Sequence, residues 1–168
     1  MLGWLAIDCG STARVGILAT ISRQFPVWSV GPCLNNRPAD EDLPGRNMED
    51  DDSRRRMQMV LSRYLFYFSG ENSDSPGYTT EKLWMALSRG SIPVYFGDDD
   101  VHRHLPCREC VLDVKKFASV EALVARMHEI ASSETEYTRI TAWRLADPNT
   151  WPMAFRRGIA IASADITR

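Results

Sequence analysis

The sequence predicts an α/β domain built on a doubly wound parallel sheet. Short apolar runs without polar alternation recur along the chain, which is typical of strands buried on both faces. Segments with a helical spacing of apolar residues lie between these runs, and such alternation indicates a parallel sheet covered by helices on both sides. The chain has 168 residues, a length that suits one domain.

Five apolar runs are the predicted strands. They cover residues 2–7, 27–30, 64–68, 92–96 and 111–114. In doubly wound sheets, ligands bind beyond the carboxyl ends of the strands, at helix N-termini. Functional residues are therefore expected in the segments that follow these runs.

The predicted helices are defined by apolar spacing and by residues that favour helix ends. Ser11 and Thr12 are N-cap candidates for the first helix, and Ser119 is expected to cap a later one. Gly90 is a helix-ending signal. The predicted helical segments are residues 12–25, 54–62, 81–89, 98–104, 120–130 and 134–145; a polar loop is predicted at 35–53, and a C-terminal tail without clear periodicity until 154–164 is predicted at 147–168.

Composition and charge favour a soluble globular protein. The chain is 44% hydrophobic and 25% charged, as in ordinary domains, and its net charge of -2 argues against a nucleic-acid partner. No apolar run is long enough to span a membrane. The first ten residues lack a basic leader, so no secretory signal is predicted. The expected molecule is a soluble protein or a fragment of a longer one.

The four cysteines leave their state open. Cys107 and Cys110 have C-x-x-C spacing, but zinc needs four ligands and no second such pair exists; free thiols or a short-range disulfide are the alternatives. Cys9 and Cys33 each follow a strand-like run, so these two could meet and form a disulfide in an oxidising compartment.

Two cations occupy positions where the helix dipole disfavours them. Lys82 lies in the first turn of the helix at 81–89, and Arg14 lies in the first turn of the helix after Ser11. A cation there is destabilising by up to about 1 kcal/mol. Two cations and two helix N-termini at one edge of the sheet predict a pocket for a diphosphate. The alternative is that Lys82 reaches solvent and pairs with Asp74 or Glu81.

Three further residues are candidates for the same site. Glu81 is adjacent to Lys82, and a carboxylate near a diphosphate is best explained as an acceptor for sugar or ribose hydroxyls; the alternative is a glutamate that complements the helix dipole. Tyr78 could stack on a ligand or donate to it, or simply pack in the loop. Asn72 could donate to a ligand or form an Asx-turn.

Common nucleotide and catalytic motifs are missing from the sequence. There is no G-x-G-x-x-G, P-loop or G-x-S-x-G. The acidic runs at 49–52 and 98–100 resemble Asp-x-Asp metal sites, but a solvated loop and helix capping respectively are the favoured interpretations. No metal site is predicted.

The segment YLFYFSGENSDSPGYTTEKLWMALSRGSIPVYFG (64–97) resembles the signature of the α-1,3-fucosyltransferases, glycosyltransferase family 10. The matching motifs are E-N-S at 71–73, Y-T-T-E-K at 78–82 and the strand I-P-V-Y-F-G at 92–97. Residues 13–15 and the segment from Phe117 also resemble the family, so the resemblance covers about residues 2–145. Ser69-Gly70, ahead of Glu71, departs from the family pattern.

The resemblance implies the C-terminal, donor-binding half of a GT-B enzyme, with a Rossmann-like domain at 1–146. It implies transfer of fucose from GDP-fucose, with inversion and without a metal or other cofactor, onto an N-acetylglucosamine hydroxyl of a glycan acceptor. It also implies a location on the luminal side of the Golgi membrane. The corresponding N-terminal acceptor domain is not expected in this chain.

By matching positions, the resemblance assigns roles to the candidate residues. Arg14 and Lys82 hold the diphosphate, Tyr78 and Glu81 contact the ribose or the fucose, and Asn72 shapes the pocket. No catalytic residue is identified, because the resemblance places the general base in the acceptor domain. The alternatives are a catalytically incomplete module that binds a nucleotide sugar, or an unrelated doubly wound fold.

Overall fold

The computed structural model describes residues 1–5, 9–30, 32–36, 59 and 61–164. Most of the predicted loop at 35–53, most of the helix at 54–62 and the acidic run at 49–52 lie outside these residues. The described strands are β1 (Leu2–Leu5), β2 (Val27–Val30), β3 (Phe66–Gly70), β4 (Ile92–Phe96) and β5 (Leu112–Asp113). The described α-helices are α1 (Thr12–Ser22), α2 (Glu81–Arg89), α3 (Val120–Ala131), α4 (Glu134–Thr141) and α5 (Met153–Ala164).

The five strands form one parallel sheet in the order β2-β1-β3-β4-β5. The order reverses direction between β1 and β3, which is the switch point at which doubly wound sheets bind their ligands. The predicted fold class, α/β with a doubly wound parallel sheet, is therefore confirmed.

The two faces of the sheet bury different helices. Phe66 and Phe68 pack in a core with residues of α1 and α3, whereas the intervening Tyr67 packs against Ala86 of α2. Alternate strand residues point to opposite faces, so each helix layer has its own core. On the α2 side, an aromatic cluster joins α2 to α5; it consists of Trp84, Trp143, Trp151 and Phe155, whose rings meet edge to face.

Local signals explain where the helices begin and end. The Ser119 hydroxyl accepts a hydrogen bond from the Ala122 backbone N–H at 3.2 Å, as an N-cap should. Gly90 ends α2 with φ of 94°, a left-handed conformation that favours glycine. The predicted boundaries of α2 and β4 are those observed.

Several predicted elements differ from the structure. The first helix ends at Ser22 rather than at Phe25, and within the predicted helix at 98–104 only a 3₁₀ helix forms, at Val101–His104. β3 lies two residues later than predicted, because its backbone pairs with β4 through to Gly70. The run at 111–114 forms only a two-residue strand, since the Asp113 side chain caps a 3₁₀ helix that starts at Val114. The segment at 134–145 is α-helical to Thr141 and continues as a 3₁₀ helix, and the tail contains α5, which the sequence left largely unassigned.

Both cysteine pairs are disulfides in the structure. Cys9 and Cys33 are bonded with a Cα–Cα distance of 5.5 Å, so the pairing suggested by the sequence is confirmed. Cys107 and Cys110 form the short-range disulfide that was one of the alternatives for the C-x-x-C motif. Over the described ranges, no helix combines the length and apolar character that crossing a bilayer requires.

Candidate functional site

The carboxyl edge of the sheet brings together the segments that follow β1, β3 and β4. These strands are parallel neighbours, so the N-termini of α1 and α2 open at the same edge. Arg14 lies in the first turn of α1, and Lys82 lies in the first turn of α2. Both predicted cations thus lie at one edge of the sheet.

Arg14 is enclosed, with 1% of its surface exposed. Its Nη1 donates to the backbone oxygen of Gly70 at 3.3 Å and to the side-chain oxygen of Asn72. A Cβ at Gly70 would lie 2.7 Å from the Phe68 ring and 3.3 Å from the Arg14 Cβ, so this close packing depends on glycine. Asn72 is exposed, so its hydrogen bond connects the buried Arg14 to a residue at the surface.

Lys82 donates to three acceptors of its own chain. Its Nζ lies 2.9 Å from the Thr80 hydroxyl, 3.3 Å from Glu81 Oε1 and 3.5 Å from Glu71 Oε2. The pairing with Glu81, which was part of the alternative to a diphosphate pocket, is present. Asp74, the other predicted partner, instead pairs with Lys115 at 3.4 Å.

Glu71 is the buried anion of the site, with none of its side chain exposed. Its Oε1 accepts from the Thr80 backbone N–H at 2.8 Å, and its Oε2 accepts from the Thr80 hydroxyl at 2.6 Å. Thr80 is the N-cap residue of α2, yet its own side chain makes no capping bond. Glu71 therefore satisfies one backbone N–H at the start of α2, that of the N-cap residue. Glu71, Thr80, Glu81 and Lys82 are called the Lys82 network below.

The Tyr95 hydroxyl borders the Lys82 network. It accepts from the Asp98 backbone N–H at 3.0 Å and lies 3.4 Å from the Thr79 hydroxyl. Burial raises the pKa of Tyr95 to about 12, and the Glu71 and Asp98 carboxylates add to the rise. A Cβ at Gly97 would lie 2.5 Å from the Tyr95 oxygen and 2.8 Å from Glu71 Cγ, so glycine lets β4 end against the network.

The segment between β3 and α2 carries Tyr78, which is 38% exposed. Its backbone N–H donates to Ser75 at 3.0 Å, which closes a turn. Lys115 ties this segment to the chain after β4, because its Nζ contacts both Asp74 and, at 3.0 Å, Asp99. Tyr78 therefore lies in a turn that these ion pairs hold at the same edge of the sheet as Lys82.

A separate cavity of about 620 Å³ lies beside the edge strand β5. None of the five predicted site residues lines it. Its lining mixes cations and carboxylates, so no single ligand charge is indicated; it includes Asp99, Asp100, His102, Arg103, Arg108, Glu109, Asp113 and Lys116. Within the described ranges, which include the acidic run at 98–100, no group of three His, Cys, Asp or Glu side chains is placed to hold a metal ion.

Sequence reasoning missed the contributions of Glu71, Thr80 and Lys115. A glutamate directly after β3 was an available signal for a residue at the carboxyl edge of the sheet, but it does not reveal the partners Thr80 and Lys82. Ser69 was noted only as a departure from the family pattern; its hydroxyl donates to the backbone oxygen of Lys82 at 3.1 Å. Ser69 therefore joins β3 to the first turn of α2.

The fold and the site define a class of protein. An open parallel α/β sheet with cations at two helix N-termini, beside the switch point, is an arrangement found in many nucleotide-binding domains. Comparison with known families makes this more specific. The C-terminal model of glycosyltransferase family 10 (fucosyltransferase) matches residues 1–156, and the chain belongs to this family.

Similar proteins agree with that assignment. GDP-fucose protein O-fucosyltransferase 3 of Xenopus laevis is 28% identical over 145 residues, and alpha-(1,3)-fucosyltransferase B of Drosophila melanogaster is 30% identical over 135. The matches cover 86% and 80% of this chain, and the chain spans 30% of the length of either relative.

A crystal structure of an alpha1,3-fucosyltransferase with GDP-fucose superposes on the whole chain. The TM-score is 0.71 at 18% sequence identity, and 47% of that structure is covered. The likeness confirms the predicted fold, which is that of one half of the two-domain GT-B architecture.

Proposed function

We propose that this chain is the donor-binding part of a fucosyltransferase and that it binds GDP-fucose at the N-termini of α1 and α2. The observation that carries the proposal is the pair of first-turn cations, Arg14 and Lys82, at one sheet edge of a chain that belongs to the fucosyltransferase family. Helix N-termini and cations together favour a doubly charged anion. The relatives named for GDP-fucose support the identity of the nucleotide sugar.

Each candidate residue has a role in this proposal. Lys82 and Arg14 stabilise the diphosphate, and Asn72, the exposed partner of Arg14, shapes the pocket around it. Glu81 has a side chain that is 64% exposed, and it accepts hydrogen bonds from ribose or fucose hydroxyls together with Tyr78.

The proposed reaction breaks the bond between fucose C1 and the diphosphate oxygen. The electron pair of that bond goes to the diphosphate, and Lys82 and Arg14 stabilise the growing charge as fixed cations. An acceptor hydroxyl forms the new bond from the opposite face, which inverts the configuration at C1. Its proton goes to a general base, which we assign to an acceptor domain outside these residues. The cations supply the charge stabilisation, so the proposal needs no metal or other cofactor.

The proposed acceptor is an N-acetylglucosamine hydroxyl of a glycan, with an α-1,3 linkage. A second candidate is a hydroxyl of a protein side chain, which is favoured by the relatives named protein O-fucosyltransferase. Transfer assays with a glycan ending in N-acetylglucosamine and with a serine- and threonine-containing polypeptide separate the two. A chain that binds the donor but transfers to neither acceptor is the catalytically incomplete module.

The proposed location is the luminal side of the Golgi membrane. The two disulfides support it, because disulfides persist in oxidising compartments. Localisation of a tagged protein in cells, with alkylation of its thiols before and after reduction, tests this placement.

Calorimetric titration with nucleotide sugars tests the donor assignment. GDP-fucose is expected to bind more tightly than GDP-mannose or UDP-galactose. Arg14→Lys keeps the charge but removes the planar fork, so we expect affinity for GDP-fucose to fall by about 10-fold or more. Arg23→Lys, at the far end of α1, is the matched control and should bind as the wild type does. A folded wild-type chain that binds none of the three sugars contradicts the proposal.

A further inference from the structure

Glu71 differs from the other carboxylates of the site because both of its oxygens are fixed. The Thr80 backbone N–H and hydroxyl hold one oxygen each, at 2.8 and 2.6 Å, and its side chain is fully buried. A buried carboxylate is stable only with such hydrogen bonds and a nearby cation. Lys82 is that cation, so the position of Glu71 and the position of Lys82 depend on each other.

The Lys82 ammonium group lies within 3.5 Å of three acceptors of the chain, as many as it has protons. A phosphate oxygen can reach this group only if one acceptor gives way. Glu71 is fixed on both oxygens, and Thr80 is held by Glu71. Glu81 is the exposed partner, and an exposed ion pair is weak enough to be displaced.

We propose that Glu71, through Thr80, is the permanent counter-ion that positions Lys82, and that a bound diphosphate replaces Glu81 on Lys82 and so frees Glu81 for donor hydroxyls. This inference rests on the proposed function and adds an exchange of partners on Lys82 to it. The diphosphate takes the place of the Glu81 carboxylate, whose Oε1 is then available to accept from the ribose or the fucose.

Arg14 likewise has an inner and an outer acceptor among its described hydrogen bonds. The inner partner is the Gly70 carbonyl, and the outer one is the exposed Asn72 amide. Gly70, Glu71 and Asn72 are consecutive, so the end of β3 supplies partners to both cations. Pairing of a phosphate-binding lysine with a glutamate that sets its position is also used in protein kinases.

Titrations of inorganic pyrophosphate and of GDP-fucose into the full chain distinguish the role of Glu71 from that of Glu81. Glu81→Gln removes the competing charge, so it should tighten pyrophosphate binding by about two- to fivefold, the range of an exposed ion pair. The same change should not tighten GDP-fucose, because the hydroxyl acceptor is weakened. Glu121→Gln alters a first-turn glutamate of α3 and is the matched control, with no change expected for either ligand.

Glu71→Gln should weaken both ligands by about tenfold or more, because Lys82 is released to Glu81. If Glu71→Gln fails to fold, Thr80→Val gives the same test, since it removes the hydroxyl between Lys82 and Glu71. Thr80→Ser keeps that hydroxyl and should restore wild-type affinity, which a merely structural role for Thr80 would not require. Thermal melting of each variant shows that it is folded.

The outcomes distinguish this inference from the donor assignment. Two results overturn the inference while GDP-fucose binding still stands. One is pyrophosphate affinity that is unchanged in Glu71→Gln and Thr80→Val, and the other is pyrophosphate affinity that is weaker in Glu81→Gln. Wild-type binding of pyrophosphate without GDP-fucose overturns the donor assignment alone, and the exchange on Lys82 remains measurable. Wild-type binding of neither ligand overturns both.

Discussion

Helix α2 takes part in two regions of opposite chemistry. Its first turn belongs to the Lys82 network, in which charges are held by hydrogen bonds, whereas its body belongs to the aromatic cluster, in which rings meet edge to face. Buried charges add little net stability but fix geometry, while apolar burial supplies most of the folding free energy. Along one helix, the capacity to bind an anion and the stability of the fold are therefore separable.

The aromatic cluster should give the largest loss of stability. Phe155 is fully buried and contacts three tryptophan rings at centroid distances of 5.2, 5.3 and 6.1 Å. Phe155→Ala is expected to lower the free energy of unfolding by about 3–5 kcal/mol, measured by urea denaturation. Ile161→Ala, an exposed position of the same helix, is the control and should stay within about 0.5 kcal/mol of wild type. Equal losses in the two variants would contradict the assignment of stability to the cluster.

The contact between β4 and the Lys82 network should give the next largest effect. Gly97→Ala places a Cβ 2.5 Å from the Tyr95 oxygen and 2.8 Å from Glu71 Cγ, and such overpacking costs about 1–3 kcal/mol. Donor affinity should fall with it, because Glu71 moves. Gly16→Ala is the matched change, with open space around its Cβ; inside α1 it should instead stabilise by about 0.5–1 kcal/mol. A neutral Gly97→Ala would mean that the network tolerates displacement.

Tyr95 links the network to the pH dependence of stability. The pKa of its hydroxyl is raised by burial to about 12, from 10.0, so its contribution is complete below pH 10 and is lost as pH rises towards 12. Tyr95→Phe should lower stability by about 1 kcal/mol at pH 7 and flatten the decline above pH 10. Denaturation curves at pH 7, 9 and 11 check both effects, and an unchanged alkaline slope in the variant would contradict the role of Tyr95.

Lys115 should give the smallest effect on stability. Its two ion pairs, with Asp74 and Asp99, lie near the surface, and such pairs contribute about 0.2–1 kcal/mol each at most. Lys115→Ala should cost about 1 kcal/mol or less, with the loss shrinking at high salt. Lys116→Ala, its exposed neighbour, is the control and should be neutral. The Lys115 Nζ also lies 5.5 Å from the centre of the Phe96 ring, so a salt-independent loss for Lys115→Ala would point to packing on this ring rather than to the ion pairs.

The sequence predicts best the features that depend on neighbouring residues. Helix α2 and strand β4 were predicted with their observed limits, because apolar spacing and Gly90 act locally. The start of β3 was misplaced by two residues, since the ladder with β4 and not the composition of β3 decides where pairing begins. The short 3₁₀ segment after Asp113 likewise depends on one side-chain hydrogen bond that composition does not reveal.

The candidate site shows the same limit. Arg14 and Lys82 could be predicted because each occupies the wrong end of a helix dipole, which is visible in the sequence. The role of Glu71 could not be predicted, because its partners Thr80 and Lys82 are nine and eleven residues away in the sequence and contact it only in the folded chain. Asn72 was predicted as a ligand contact, and its hydrogen bond to Arg14 likewise spans distant parts of the chain.

Calorimetric titration of GDP-fucose into the wild-type chain and into Lys82→Ala, with urea denaturation of both, tests the separation along α2 most directly. The expected result is a loss of affinity of about tenfold or more, together with an unfolding free energy that falls far less than it does in Phe155→Ala. Wild-type affinity in a folded Lys82→Ala chain would contradict the placement of the diphosphate at this helix N-terminus.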